Sequence, residues 1–242
     1  MAAEADRAYA DLLRRGSADS TVLGIVLFGS RGYDAYVTGE SDYDVMVIVE
    51  EGPGLWRTPH GSPVEIWPMD LAEFRGHALP GSVDAWNRPT FLGSRVVLDR
   101  LDGEIDRIVA RKSKLDSDEA IAIAAASLGD YVNSLYRSLR GLEAGRDLEG
   151  RLDALESLSP LLTTAFALEG RVRPFNKWLR HELTVRPLRI PRLLYLVDRI
   201  AADPTVDLQR DMFRTMERAA RRAGHGAVID GWGPDVSWLR GR

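Results

Sequence analysis

The sequence predicts an α/β domain over residues 1–102 and an all-α domain over residues 103–242. Three observations carry this. From Thr21 to about Arg100, short apolar runs (TVLGIVLF, YDVMVIV, VEIW and SRVVLD) alternate with Gly, Pro and Ser clusters, as strands alternate with turns. Beyond Asp102 the apolar period becomes helical, and Ile121, Ala125, Leu128, Val132, Leu135, Leu139 and Leu142 fall on one stripe. Pro160, Pro174, Pro191 and Pro204 divide the remainder of the chain, each suited to a helix's first turn or to a break.

Taken in order, MAAEADRAYADLLRRG has helical spacing, with acidic residues where a secretory signal would be basic. No apolar stretch reaches spanning length, so a cytoplasmic location is expected and no membrane partner. TVLGIVLF is almost continuously apolar and should be buried on both faces of a sheet. The striped helix should end near Gly141 and Gly145, with further helices at about 152–169, 175–184, 191–202 and 206–223. Residues 102–116 form the join. With no long linker, the two halves are expected to pack around a shared cleft.

Composition narrows the function. With 45% hydrophobic residues in 242, the chain can bury a substantial core. It has no cysteine, which removes disulfides, thiolate metal sites and thiol nucleophiles. A net charge of -4 argues against gripping a long phosphate backbone, so nucleic acid is not expected as a partner, while small charged ligands remain open. Only Lys112, Lys114 and Lys177 among the 32 basic residues are lysine, which singles each of them out.

The stretch GSRGYDAYVTGESDYDVMVIV concentrates the chemistry. Asp42 and Asp44 sit two apart at the start of an apolar run; on a strand they project to one side, about 6 to 7 Å apart at Cα. Two such anions repel, and a hard divalent cation relieves the repulsion; oxygen-only ligands suit Mg²⁺. Alone, the pair reads more readily as a solvated start of a strand capped by side-chain to backbone bonds. Before it, Gly29-Ser30-Arg31-Gly32 follows a buried strand and offers backbone N–H groups, a hydroxyl and a guanidinium to a phosphate. Arg31 also suits a plain exposed charge. A third carboxylate, Glu65 in Pro63-Val64-Glu65-Ile66-Trp67, faces either solvent or a partner. It joins the others only if its strand lies beside that of Asp44.

A strand ending in Gly29-Ser30, then Asp42-Tyr43-Asp44, then Glu65 on a third strand resembles the nucleotidyltransferase superfamily with the DNA polymerase β type fold. Val64-Glu65-Ile66 followed by a helical C-terminal domain is similar to the aminoglycoside adenylyltransferases that modify streptomycin and spectinomycin. The resemblance implies a nucleotidyltransferase domain with a small mixed sheet, then a helical bundle. It implies an enzyme in which Asp42, Asp44 and Glu65 hold one or two Mg²⁺ and Gly29 and Ser30 position the phosphates of ATP or another nucleoside triphosphate. AMP would pass to a hydroxyl of a small-molecule acceptor, with Glu65 as base, metal ligand or both. Nucleotidylation of a protein or RNA, as in toxin–antitoxin pairs, and nucleotide binding without chemistry are the alternatives.

In the helical half, Asn133, Tyr136, Arg137 and Arg140 share a polar face, either turned to the nucleotide or simply solvated. Lys177, between Asn176 and Trp178, suits a phosphate by analogy with a lysine of those adenylyltransferases. Glu156, Glu169 and Glu182 are available to a cationic acceptor. Trp86, Trp178, Trp232 and Trp238 offer stacking surfaces or core packing.

Overall fold

A computed structural model describes residues 2–241. The chain divides into two compact units, Met1–Lys114 and Leu115–Arg242. The first opens with helix α1 (Ala2–Ala18) and strand β1 (Val22–Phe28), then one helical turn, α2 (Gly29–Tyr33). Strand β2 (Tyr43–Val49) and strand β3 (Val64–Asp70) come next, with a 3₁₀ turn at Pro53–Trp56 between them. Helix α3 (Leu71–Gly76), a 3₁₀ segment (Ala85–Phe91), strand β4 (Arg95–Asp99) and helix α4 (Glu104–Lys112) complete the unit.

The four strands form one mixed sheet in the order β3-β2-β1-β4. β1 runs antiparallel to both β2 and β4, whereas β2 and β3 are parallel, joined by the crossover at residues 50–63. Strand alternation sends Ile25, Leu27, Val45, Val47, Val64 and Ile66 to one face, where they pack with Leu12 of α1 and Trp56. Val26, Phe28, Met46, Ile48 and Met69 point to the other, against Phe74, Phe91, Ile105 and Val109. Covered on both sides, β1 needs the continuous apolar run its sequence provides.

The unit closes at Lys114, past the expected boundary at residue 102. Helix α4 is the reason: Ile105 and Val109 bury into the sheet's second face, so α4 belongs with the strands. Its end is fixed by Arg88, whose buried guanidinium donates to the carbonyls of Lys112 (3.0 Å) and Lys114 (2.6 Å). Lys112 itself is buried, its Nζ donating to the Phe74 carbonyl between the rings of Phe74 and Phe91, 4.5 and 4.7 Å from their centroids. Desolvation there, with Arg111 and Arg88 adding to it, pushes its pKa down to about 7.

The second unit is built mainly of helices. Helix α5 (Ser117–Glu143) carries the apolar stripe, buried from Leu128 to Leu139, although Ile121 at its start is exposed. Asp116 caps it, its side chain accepting from the Glu119 N–H. Helix α6 (Asp147–Ala167) folds back on α5, where buried Ser138 donates to the Gly150 carbonyl at 2.7 Å. Pro160 neither starts nor breaks α6 but lies inside it, because Leu161, Leu162, Ala165 and Phe166 hold the following turns in the core. Helices α7 (Asn176–Val185), α8 (Leu193–Ala202) and α9 (Val206–Arg222) and two short ones, α10 (Gly226–Asp230) and α11 (Asp235–Leu239), complete this core. Among the described residues, no helix is long and apolar enough to cross a membrane.

Candidate metal and phosphate site

Parallel pairing of β2 and β3 decides the fate of Glu65. The register sets Asp44 opposite Glu65 across that pair and Phe28 opposite Asp44 across the β1–β2 pair. Glu65, Asp44 and Phe28 therefore form one row across the sheet, at the end where β1 runs into α2. Asp42 lies one residue before β2 and is exposed, yet an oxygen from each of Asp42, Asp44 and Glu65 lies within 4.8 Å of the others. Three hard oxygen donors at that spacing, with no sulfur or imidazole among them, suit Mg²⁺.

The glycine turn lies against this row. Gly29 has φ +67°, in the left-handed region, and a Cβ built on it would fall 1.8 Å from Oδ2 of Asp44. Only glycine lets that carboxylate close over the turn. After Gly29 the chain makes one helical turn and stops at Asp34, itself left-handed at φ 56°, whose N–H bonds to the Ser30 carbonyl. The first N–H groups of such a turn have no partner within the helix. The Ser30 hydroxyl, half-buried, lies in the same turn.

Arg31 differs from its expected role. Its guanidinium donates through Nη2 to the Ser41 carbonyl (2.9 Å) and through Nε to the carbonyls of Ser41 and Asp42 (both 3.1 Å). It also lies 4.1 Å from the centroid of the Tyr43 ring. The donor fork therefore ties α2 to the backbone that presents Asp42 and acts as a positioning group. Tyr43 stacks on Tyr9 at 4.1 Å and donates from its hydroxyl to Asp6 at 2.8 Å, linking α1 to the same corner. Burial, and then the bond to Asp6, raises the Tyr43 pKa, so the phenol stays neutral.

Glu65 is itself held. Its Oε1 accepts the Gly61 N–H at 2.7 Å and lies 2.6 Å from Nδ1 of His60, whose side chain is almost fully exposed. These contacts leave the carboxylate's second oxygen for a metal or a proton. Sequence reasoning missed His60 and Gly61: Pro59-His60-Gly61-Ser62 reads as an ordinary turn, and only the crossover geometry brings it back onto Glu65.

The structure thus brings Gly29, Ser30, Arg31, Asp42, Asp44 and Glu65 together within the first unit. The other expected ligand-binding residues lie in the second. Arg137 is engaged there by α6, with Nε 3.0 Å from Asp153 and Nη2 3.2 Å from Glu156, so it joins two helices. Asn133 is exposed on α5. Lys177 is exposed in the first turn of α7, its Nζ 4.5 Å from the centroid of the Trp178 ring. Tyr136 packs against Trp232 and Trp238, and Arg140, itself exposed, lies over Trp238 at 4.2 Å.

Of the glutamates considered for a cationic acceptor, Glu182 is buried and binds Arg171 (2.5 Å) and Arg186 (2.7 Å). Glu169 accepts the Arg189 N–H, and Glu156 the Arg137 guanidinium. All three have partners within their unit, although Glu156 stays largely exposed. Trp178 is core, whereas Trp86 is exposed.

Compared with protein-family models and with curated proteins, the sequence finds no match, so the site is read from its own geometry.

Proposed function

We propose that this chain transfers a nucleoside monophosphate, AMP from ATP in the first instance, to a hydroxyl of a small molecule in a Mg²⁺-dependent reaction. One observation carries the reading: the oxygens of Asp42, Asp44 and Glu65 converge within 4.8 Å beside a glycine turn that admits the Asp44 carboxylate. This is the arrangement that the resemblance to nucleotidyltransferases leads one to expect. An oxygen-only triad next to a glycine turn at the start of a helical turn suits a metal-bound triphosphate better than it suits a bare solvated surface.

Mg²⁺ held by Asp42, Asp44 and Glu65 would supply positive charge to the triphosphate and to the leaving pyrophosphate. The chain's own groups do the remaining work. The backbone of Gly29 and Ser30, with the Ser30 hydroxyl, donates to phosphate oxygens and fixes the α-phosphorus. The acceptor hydroxyl oxygen bonds to that phosphorus as the bond from phosphorus to the pyrophosphate oxygen breaks. Its proton passes to the second oxygen of Glu65, the first being occupied by Gly61 and His60. Because coordination lowers a carboxylate's basicity, the share of Glu65 given to metal sets how well it accepts that proton.

The test is pyrophosphate release from ATP and the other nucleotides with Mg²⁺, using aminoglycosides, small alcohols, protein and tRNA as acceptors. Asp42→Ala and Asp44→Ala are each expected to lower the rate about 1,000-fold or more, the scale of several kcal/mol of charge stabilisation. Nucleotide binding whose metal dependence survives both substitutions would place the metal elsewhere.

A further inference from the structure

Trp67 is two residues beyond Glu65 on β3, so both side chains leave the same face of the strand. A tryptophan there would ordinarily be core, since the next residue on that face, Met69, is buried at 4% exposure. Trp67 is 40% exposed. Its ring is nevertheless fixed: it meets Phe28 edge-on, with centroids 6.1 Å apart and planes at 90°. Phe28 directly precedes Gly29 and pairs in register with Asp44, so the indole is anchored to the same strands that carry the carboxylates and the glycine turn.

This indole lines an open groove of about 430 Å³ that also takes in Glu65, Met69, Arg57 and Glu73. The volume suits a small molecule. An extended peptide is disfavoured, because the free edge of β3 is already used. The Thr58 hydroxyl donates to the Val64 carbonyl at 3.0 Å and accepts the Ile66 N–H at 2.8 Å, and Pro68 has no N–H to offer. The groove presents a held aromatic surface ending at a carboxylate. That combination recognises a ring by its flat face and orients a hydroxyl carried on the ring.

We propose that this groove is the acceptor subsite and that it holds a ring-bearing alcohol, stacked on Trp67 with its reacting hydroxyl at Glu65. The assignment rests on the transferase reading, and it separates the two substrates. The nucleotide phosphates lie at Gly29 and Ser30, and the acceptor ring lies along β3. Trp67 is then a specificity residue, setting affinity for the acceptor while leaving nucleotide affinity alone.

The test uses the full chain with Mn²⁺ and α,β-methylene-ATP, which cannot release pyrophosphate. Ring alcohols (myo-inositol, methyl glucoside, spectinomycin and streptomycin) are added, and binding is read by calorimetry and saturation-transfer NMR. At least one ring is expected to bind wild type and to lose about 10-fold or more in affinity in Trp67→Ala, with Trp67→Phe within about threefold of wild type. Affinity for Mn²⁺ with α,β-methylene-ATP should stay within about twofold in both variants, which also reports that they fold. Rings that all fail to bind wild type, or that bind Trp67→Ala as well as wild type, would overturn the assignment. So would a loss that falls on the nucleotide, since the groove would then hold its base. Failure of the transferase reading looks different: wild type would bind no metal-dependent nucleotide, whatever the ring does.

Discussion

Gly29 shows how one missing atom shapes the site. Two costs meet at this position, a left-handed backbone and a carboxylate 1.8 Å from where a Cβ would stand. The first costs an L-residue about 1–2 kcal/mol. The second forces Asp44 off its place in the row with Glu65. Gly29→Ala is therefore expected to lower stability by about 1–2 kcal/mol and to weaken Mn²⁺ binding together with it. A double-mutant cycle with Asp44→Ala separates the costs: the backbone part persists in the double variant, and the part due to the clash vanishes. Strict additivity in thermal melts would show that Asp44 and Gly29 do not touch in solution. At this scale the sequence was informative where chemistry demands a residue type, as in the carboxylates and Gly29. It misled where a long side chain has a choice of partners. Arg31 is well placed for a phosphate by residue order, yet its fork finds the carbonyls of Ser41 and Asp42, and nothing in the order of residues reveals that.

Among elements, the strands were legible because burial on both faces leaves continuous apolar runs, and the long helix because its stripe recurs over several turns. The pairing of β3 with β2 was legible only as a condition on Glu65, since register is a non-local property. Helix α4 lies in the stretch read as the join, and its place was not legible because periodicity shows that a helix has an apolar side without showing which core receives it. Its last residue provides a test of that placement. Lys112 is buried under Phe74 and Phe91, with its pKa brought from an ordinary 10.5 to about 7. Between these values the folded chain holds fewer protons at this group than the unfolded chain, so its contribution to stability rises with pH across that window. Below about pH 7 the lysine is charged in both states, and the cost of burying it is felt in full. Relative to Lys112→Met, which keeps the stem and removes the amine, wild type is therefore expected to gain in melting temperature from pH 6 to pH 9. Melts of the two proteins side by side cancel every group they share. A difference that stays flat, or that moves the other way, would place the amine in water.

For the whole molecule, the question is where one cooperative unit stops. Ile105 and Val109 of α4 fill the sheet's second face beside Val26, Ile48 and Phe91, and Arg88 fastens the end of α4 through the carbonyls of Lys112 and Lys114. A fragment of residues 1–102 keeps every strand but exposes that face and leaves the buried Arg88 without those acceptors. Uncovering Ile105, fully buried at 0% exposure, with Val109 and their neighbours removes about 1.5–3 kcal/mol for each large side chain, enough to exhaust a small domain's margin. A fragment of residues 1–114 retains both the cover and the Arg88 bonds. It is expected to give dispersed amide resonances and a single cooperative melt, whereas residues 1–102 should show neither and should bind a hydrophobic dye. Because Asp42, Asp44, Glu65 and Gly29 all lie within residues 1–114, the longer fragment should also bind Mn²⁺, and Asp44→Ala should abolish that binding. Mn²⁺ binding by a folded 1–114 fragment that Asp44→Ala leaves unchanged would disconnect the metal from the row of carboxylates on which the catalytic proposal stands.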